Sequence, residues 1–239
     1  MTTPNDGIRP ARQMIRAGQL LGVDFVPLPA QGRFTGAGSV TPRTTDKQRL
    51  LDELRHRHDR QCPHCTQATA HTQTVFGEGN PDARLVFVGE APGAEEDRTG
   101  RPFVGRAGQL LEKMIVAMGL SREDVYIANL LKSRPPDNAT PTPAEVMKCA
   151  PYLAEQLQII APKVIVALGA PAARFLLDTT QGISALRGSW HACRLGDLEI
   201  PVMPTFHPAY LLRNYTPDAR GKVWADLQMA LKRLEESAC

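Results

Sequence analysis

Four short runs, each apolar at nearly every position, constrain this chain more than any other feature. They are RLVFVGE (84–90), VYIANLL (125–131), KVIVALG (163–169) and IPVMPTF (200–206). A strand with one wet face alternates polar and apolar residues. These runs do not alternate, so both of their faces must be covered. The covering elements can be read between them. Leu50, Leu51 and Leu54 recur at helical spacing in a segment that begins near Thr45. GRAGQLLEKMIVAMG (105–119) is a helix closed by Gly119, and Thr142 with Pro143 opens another that runs to about Ile160. A short helix from Pro171 to Leu177 and an amphipathic one over Pro217–Glu235 complete the set. Fully buried strands alternating with helices predict an α/β fold, a three-layer α/β/α sandwich around a central four-stranded, mainly parallel sheet. No internal repeat is evident.

The 239 residues suit one compact domain plus an extension. Residues 46–239 carry the regular pattern. Residues 1–45 carry none, apart from a short helix allowed around Arg9–Leu21, and PLPAQGRFTGAGSVTPRTT is rich in Pro, Gly, Ser and Thr. The segment reads as a flexible basic extension, with a DNA-tethering arm as the sharper alternative. Residues 1–60 hold 10 Lys/Arg against 6 Asp/Glu, a net +4, which leaves about −1 for the rest of a chain of net charge +3. Any nucleic-acid contact by the core must therefore be local. No apolar run reaches the roughly 18 residues of a membrane span, and no cleavable signal opens the chain. The expected address is the cytoplasm.

Ligands of open α/β sheets bind beyond the carboxyl ends of the strands. Those ends carry the Gly89–Asp97 loop, Asn129, Gly169 and His207. The loop, GEAPGAEED, is unusual. Its glycines and proline suit a phosphate cradle, yet Glu90, Glu95, Glu96 and Asp97 would repel a phosphate. Asn129 could equally cap a turn, and His207 could be a satisfied core histidine. Their joint position at one sheet edge argues for a site.

Three motifs, GEAPGAEEDRTGRPFVGRAGQLL, YIANLLKSRPP and HPAYLLRN, closely resemble the family-4 uracil-DNA glycosylases, the bacterial and archaeal iron–sulfur type. The resemblance spans roughly residues 60–215 in the family's order and finds no counterpart for residues 1–45. It implies that residues 46–239 form the catalytic domain of a bacterial, cytoplasmic, monomeric DNA-repair enzyme. That enzyme would flip uracil out of single- or double-stranded DNA and hydrolyse its N-glycosidic bond without a lyase step. It would need no dissociable divalent metal. A related glycosylase acting on another deaminated base, or a non-catalytic DNA-binding module of the same fold, are the alternatives. The acidic loop then makes sense, because the departing sugar develops positive charge that carboxylates stabilise.

Roles follow from the resemblance. Glu96 is the expected water-orienting carboxylate, with Asp97 as the alternative that the sequence does not separate from it. Glu90, Ala91 and Gly93 would shape the pocket wall. Phe103 would stack on the extruded base, unless it is an ordinary core aromatic. Asn129 would pair with the uracil edge, and His207 would donate to O2 as charge builds there. Leu211 or Leu212 is the candidate wedge for the gap left by flipping, against simple packing. Arg213 would contact phosphate. Arg187, read as a hairpin arginine, is a further candidate for the DNA backbone.

Of five cysteines, Cys62 and Cys65 form a metal-type pair, CPHC. The resemblance adds Cys149 as a ligand, but the family's remaining cysteine position is Ser133, a harder ligand that binds iron less readily. Three outcomes are open: a structural 4Fe-4S cluster with Ser133 or an outside fourth ligand, a zinc site using the three cysteines with His64, or no metal. The site is expected on a helical flank away from the strand ends. Cys193 and Cys239 read as spectators.

Overall fold

The computed structural model describes residues 46–65, 67–68 and 71–237. The basic extension, its candidate helix and Cys239 lie outside the described residues. In chain order the elements are α1 (Asp46–Gln61), β1 (Glu78–Gly79), β2 (Leu85–Gly89), α2 (Ala94–Thr99), α3 (Arg106–Ala117), β3 (Tyr126–Asn129) and α4 (Pro143–Ile160). They continue as β4 (Val164–Leu168), α5 (Ala170–Leu177), α6 (Ile183–Leu186), β5 (His191–Leu195), β6 (Leu198–Thr205), α7 (Pro208–Arg213) and α8 (Pro217–Glu236).

The sheet order is β1-β3-β2-β4-β6-β5. Its four middle strands are the four apolar runs, all parallel. Two antiparallel edge strands make the sheet six-stranded rather than four-stranded. Neither has a two-sided apolar run to announce it: β1 is two residues long, and β5 exposes Ala192 and Arg194 while burying Cys193. Edge strands with a wet face read as loop.

Successive residues of β2 divide the core between two faces. Leu85 and Phe87 pack with Leu111, Met114 and Ile115 of α3 and with Leu227 and Ala230 of α8. Val86 and Val88 pack with Leu153, Leu157 and Ile160 of α4 and with Ala172 and Leu176 of α5, joined by Leu51 of α1. That is the three-layer sandwich. Each such aliphatic side chain contributes about 1.5–3 kcal/mol on burial. Thr142 caps α4 as expected, accepting from Glu145 N while Glu145 reaches back to Thr142 N. α3 stops at Ala117, and Gly119 takes its positive φ of 77° two residues beyond.

Register sets the site. Gly89 ends β2 beside Asn129 of β3, and Leu168 of β4 lies beside Thr205 of β6. The chain leaves β2 for β3 on one side and returns to β4 on the other, so the crevice opens at the carboxyl ends there. No helix among the described residues is long and apolar enough to cross a membrane.

Candidate active site and cysteine pocket

Asn129 and Phe103 meet over Gly89. A Cβ on Gly89 would lie 2.3 Å from Asn129 Oδ1 and 2.5 Å from Phe103 Cζ, so only glycine lets amide and ring close on the strand end. Asn129 is 1% exposed, and its Oδ1 is buried with no hydrogen-bond partner. A buried acceptor left unpaired costs about 1–3 kcal/mol. An orphan of that kind at a ligand crevice is a place for an incoming donor.

Phe103 has a φ of 51°, a strained value for an aromatic residue. Its neighbours hold it there. Glu96 Oε1 accepts from Val104 N and Gly105 N, both at 2.8 Å. Arg122 donates to Phe103 O at 3.2 Å and to Pro102 O. Glu78 clamps Arg122 (2.9 Å) and Arg101 (2.7 Å). The Arg101 hydrogen bonds, reinforced by Arg122, hold the Glu78 carboxyl down to about 2 against its burial. Sequence reasoning missed this clamp, since its three members come from separate segments with no shared motif.

His207 faces Phe103 with ring centroids 5.6 Å apart. It caps α7, and its Nδ1 accepts from Ala209 N at 3.0 Å. That bond assigns the proton to Nε2. Burial, aided by the charge of Arg213 and opposed by that of Glu96, pushes the imidazole down to about 4. Gly169, at a φ of 92°, admits it: a Cβ there would lie 3.1 Å from His207 Cβ.

The three carboxylates differ sharply. Glu96 is tied to three backbone N–H groups, the third being Gly93 N at 3.1 Å, which opens α2. Asp97 is 5% exposed and accepts from Thr72 N (2.7 Å) and Gln73 N (3.3 Å). Burial disfavours its ionisation, but these donors outweigh it and lower its pKa overall. Asp97 braces the 72–73 segment. Glu90, next after the β2 glycine, is half-buried, and burial raises its carboxyl above the usual range. Its neighbour Ala91 packs on the cysteine pocket.

At α7 the two leucines separate. Leu211 is 2% exposed in the core, whereas Leu212 is exposed. Among the described residues the exposed large hydrophobics are Leu50, Met147, Tyr210, Leu212 and Tyr215, so three of the five fall within one six-residue stretch. Arg213 is exposed beside them. Arg187 is not: it follows α6 rather than a hairpin and turns inward to Asp226 (2.7 and 3.0 Å) and Lys222 O. Asp226 is fully buried and also accepts from Thr205 Oγ1 at 2.6 Å. The expectation that Arg187 reaches the DNA backbone is therefore corrected, because its charge neutralises an interior carboxylate.

Cys62, Cys65 and Cys149 come together, with Sγ–Sγ distances of 3.7 Å (62–149) and 3.6 Å (65–149). The fourth group is His58, one turn before Cys62 on α1; the potential ligand atoms of all four residues lie within 4.8 Å of one another. Ser133 is fully buried at the edge of the group, and Cys65 Sγ donates to its Oγ at 3.4 Å. His64, the imidazole expected for a zinc site, stays out of the set. Three thiols and an imidazole in a closed, buried pocket fit a metal that favours soft donors. The i,i+4 spacing of His58 and Cys62 could have signalled this. The pocket is also nearer the crevice than expected, because the chain past β3 folds back on β2: Leu131 N donates to Glu90 O at 3.0 Å, and Leu131 and Ala91 pack against the cysteines. Fully buried Lys132 sits between, donating to Asn129 O (2.8 Å) and to Gln156 Oε1, with burial holding its amine down to about 8.

A doubly covered parallel sheet thus brings an amide with an unpaired oxygen, a strained aromatic and a buried imidazole to one carboxyl edge of an α/β fold. The profile of the uracil DNA glycosylase superfamily matches residues 76–228, and the chain belongs to that superfamily. It is 50% identical over 175 residues to a type-4 uracil-DNA glycosylase of Thermotoga maritima, covering 72% of this chain and 88% of the relative. Its identity to the type-4 enzyme of Archaeoglobus fulgidus is 45% over 173 residues (70% and 85%), and to that of Sulfurisphaera tokodaii 43% over 164 residues (66% and 74%).

Proposed function

We propose that this protein excises uracil from DNA by hydrolysing the N-glycosidic bond, leaving an abasic site and an intact strand. The buried, unpartnered Asn129 Oδ1 carries the reading. Uracil presents an N3–H donor to such an acceptor, whereas cytosine presents a lone pair at N3 and is repelled. Phe103 stacks on the extruded base, a contact worth roughly 1–3 kcal/mol. His207 donates from Nε2 to uracil O2 as negative charge grows there.

Glu96 has about four lone-pair sites, three of them occupied by backbone N–H groups, so it braces the loop and supplies negative field. Glu90 has no such commitment, and we assign it the attacking water. Ala91 and Gly93 shape the wall. Leu212 fills the gap in the stack and Arg213 meets phosphate. The cysteine pocket holds a structural group that staples α1, the segment after β3 and α4. An iron–sulfur cluster suits the thiol-rich donors and the family resemblance. A single zinc ion is the second reading, favoured by sulfur separations of 3.6–3.7 Å, close to the about 3.8 Å edge of a tetrahedron with Zn–S near 2.3 Å.

The test is single-turnover incubation with oligonucleotides carrying uracil, hypoxanthine, thymine or cytosine. Uracil should be released with EDTA present, and strand breaks should appear only after alkali. Preference for another base, or cleavage without alkali, would overturn the reading. A second expectation separates the leucines. Leu212→Ala should keep the melting temperature and lose excision from duplex more than from single strands, since only the duplex has a stack to fill. Leu211→Ala should lose about 2–5 kcal/mol of stability, measured by denaturant unfolding.

A further inference from the structure

We infer that His58 is the fourth protein ligand of the metal centre, taking the role that Ser133 does not fill. The inference rests on the pocket holding a metal, as proposed above. His58 lies in the last turn of α1 and Cys62 is the first residue past its end, where its N–H donates to His58 O at 2.9 Å, so imidazole and thiol are one turn apart on the same side of the chain. The residue is fully buried, and Nε2 has no hydrogen-bond partner. Burying an imidazole nitrogen unpaired is costly, and a metal ion would satisfy it.

The other nitrogen is already committed. His58 Nδ1 donates to Asp59 Oδ1 at 2.9 Å, and Thr74 Oγ1 fixes the same carboxylate oxygen at 2.7 Å. A carboxylate holding one ring nitrogen fixes the tautomer and frees the other for metal, which is how ligating histidines are usually supported. Tyr152 packs edge-on against the ring, with centroids 4.9 Å apart, and Phe76 lies 5.8 Å away, so the imidazole is held in place on two sides.

Ser133 has a different part. Its hydroxyl is hydrogen-bonded to the Cys65 sulfur at 3.4 Å. Neutral imidazole binds zinc and iron readily, whereas a serine hydroxyl must first lose a proton of far higher pKa. Ser133 is a hydrogen-bonding neighbour of a sulfur ligand, and the ligand set is Cys62, Cys65, Cys149 and His58.

The full chain should be purified anaerobically as the parent and as His58→Ala, His58→Cys, Ser133→Ala and His64→Ala. Iron, zinc and acid-labile sulfide are measured per chain. Metal affinity should fall in His58→Ala by at least the about 10–100-fold that loss of a mere supporting contact produces. Ser133→Ala and His64→Ala should load like the parent. His58→Cys should load fully and guards against a folding defect in His58→Ala.

Ligation itself is read spectroscopically in protein labelled with ¹⁵N-histidine. If the centre is iron–sulfur, pulsed electron resonance of the reduced protein should show a directly coupled nitrogen that disappears in His58→Cys. If the metal is zinc, the iron–sulfur reading falls and the ligand assignment is judged on cobalt-substituted protein, whose visible bands should move in His58→Cys. A parent that binds neither metal overturns both readings. Retained nitrogen coupling or unmoved cobalt bands in His58→Cys, or metal loss in Ser133→Ala with His58→Ala unaffected, overturns the His58 assignment alone.

Discussion

Asn129→Asp should slow single-turnover release of uracil by about 30- to 1000-fold, a barrier increase of roughly 2–4 kcal/mol. In the parent, Oδ1 is buried and unpaired beside Phe103, and in the proposed function it accepts from a base N–H while the amide N–H₂ meets a base carbonyl. Asp removes the amide donor and sets a second oxygen against uracil O4. It also offers an acceptor that suits the exocyclic amine of cytosine, so weak cytosine release is expected from this variant. Asn129→Ala should lose uracil release without that gain. Lys132 holds the backbone carbonyl of Asn129, so the residue stays in register whichever side chain it bears. Near-parental uracil rates in both variants would remove Asn129 from the base-reading role.

The second large effect is at His207. His207→Ala should reduce the rate about 10²–10³-fold, the usual cost of deleting one preorganised donor to a developing anion. His207→Gln should recover part of it, because an amide N–H can replace Nε2–H. The pH dependence follows from the ring's environment. Burial lowers its pKa to about 4, so from pH 8 down to pH 5 the ring is neutral and carries its single proton on Nε2. The profiles of parent and His207→Gln, which cannot titrate there, should therefore share one shape at different heights. A step near pH 6.5 present only in the parent would mean that the ring cycles through imidazolium. Any acid limb should instead vanish in Glu90→Gln, since burial raises the Glu90 carboxyl and protonation would remove the hold on water proposed for it. Stability carries the same sign for His207. The unfolded ring gains its proton near pH 6.5 and the folded ring only near 4, so stability falls as pH drops through that window.

The parallel sheet was legible because its strands are apolar on both faces, a pattern that needs cover on two sides. The strand-end residues were legible for the same reason, since topology sends every carboxyl end to one edge. Properties set by partners distant in sequence were hidden. Glu96 and Asp97 are adjacent acids, and only the loops they reach separate them. Arg187 looked free because Asp226, its partner, lies 39 residues on in the chain. Leu211 and Leu212 differ by a rotation of about 100° around α7, and no period can be read in a helix of six residues. His58 was hidden because it precedes the CPHC run, which carries a histidine of its own, His64.

The five residues from Asn129 to Ser133 have a consequence for anyone who would redesign this molecule. Asn129 ends β3 at the crevice, Leu131 lines the cysteine pocket, Lys132 ties the strand end to α4, and Ser133 touches a sulfur. The strand-end crevice and the cysteine pocket are thus lined from one short stretch of chain. A library that varies this stretch for a new base preference also varies the lining of the metal pocket, whether intended or not. Selection for altered specificity should therefore score metal content at every round, or direct its mutations to the Phe103 turn, which meets Asn129 over Gly89 from a separate segment.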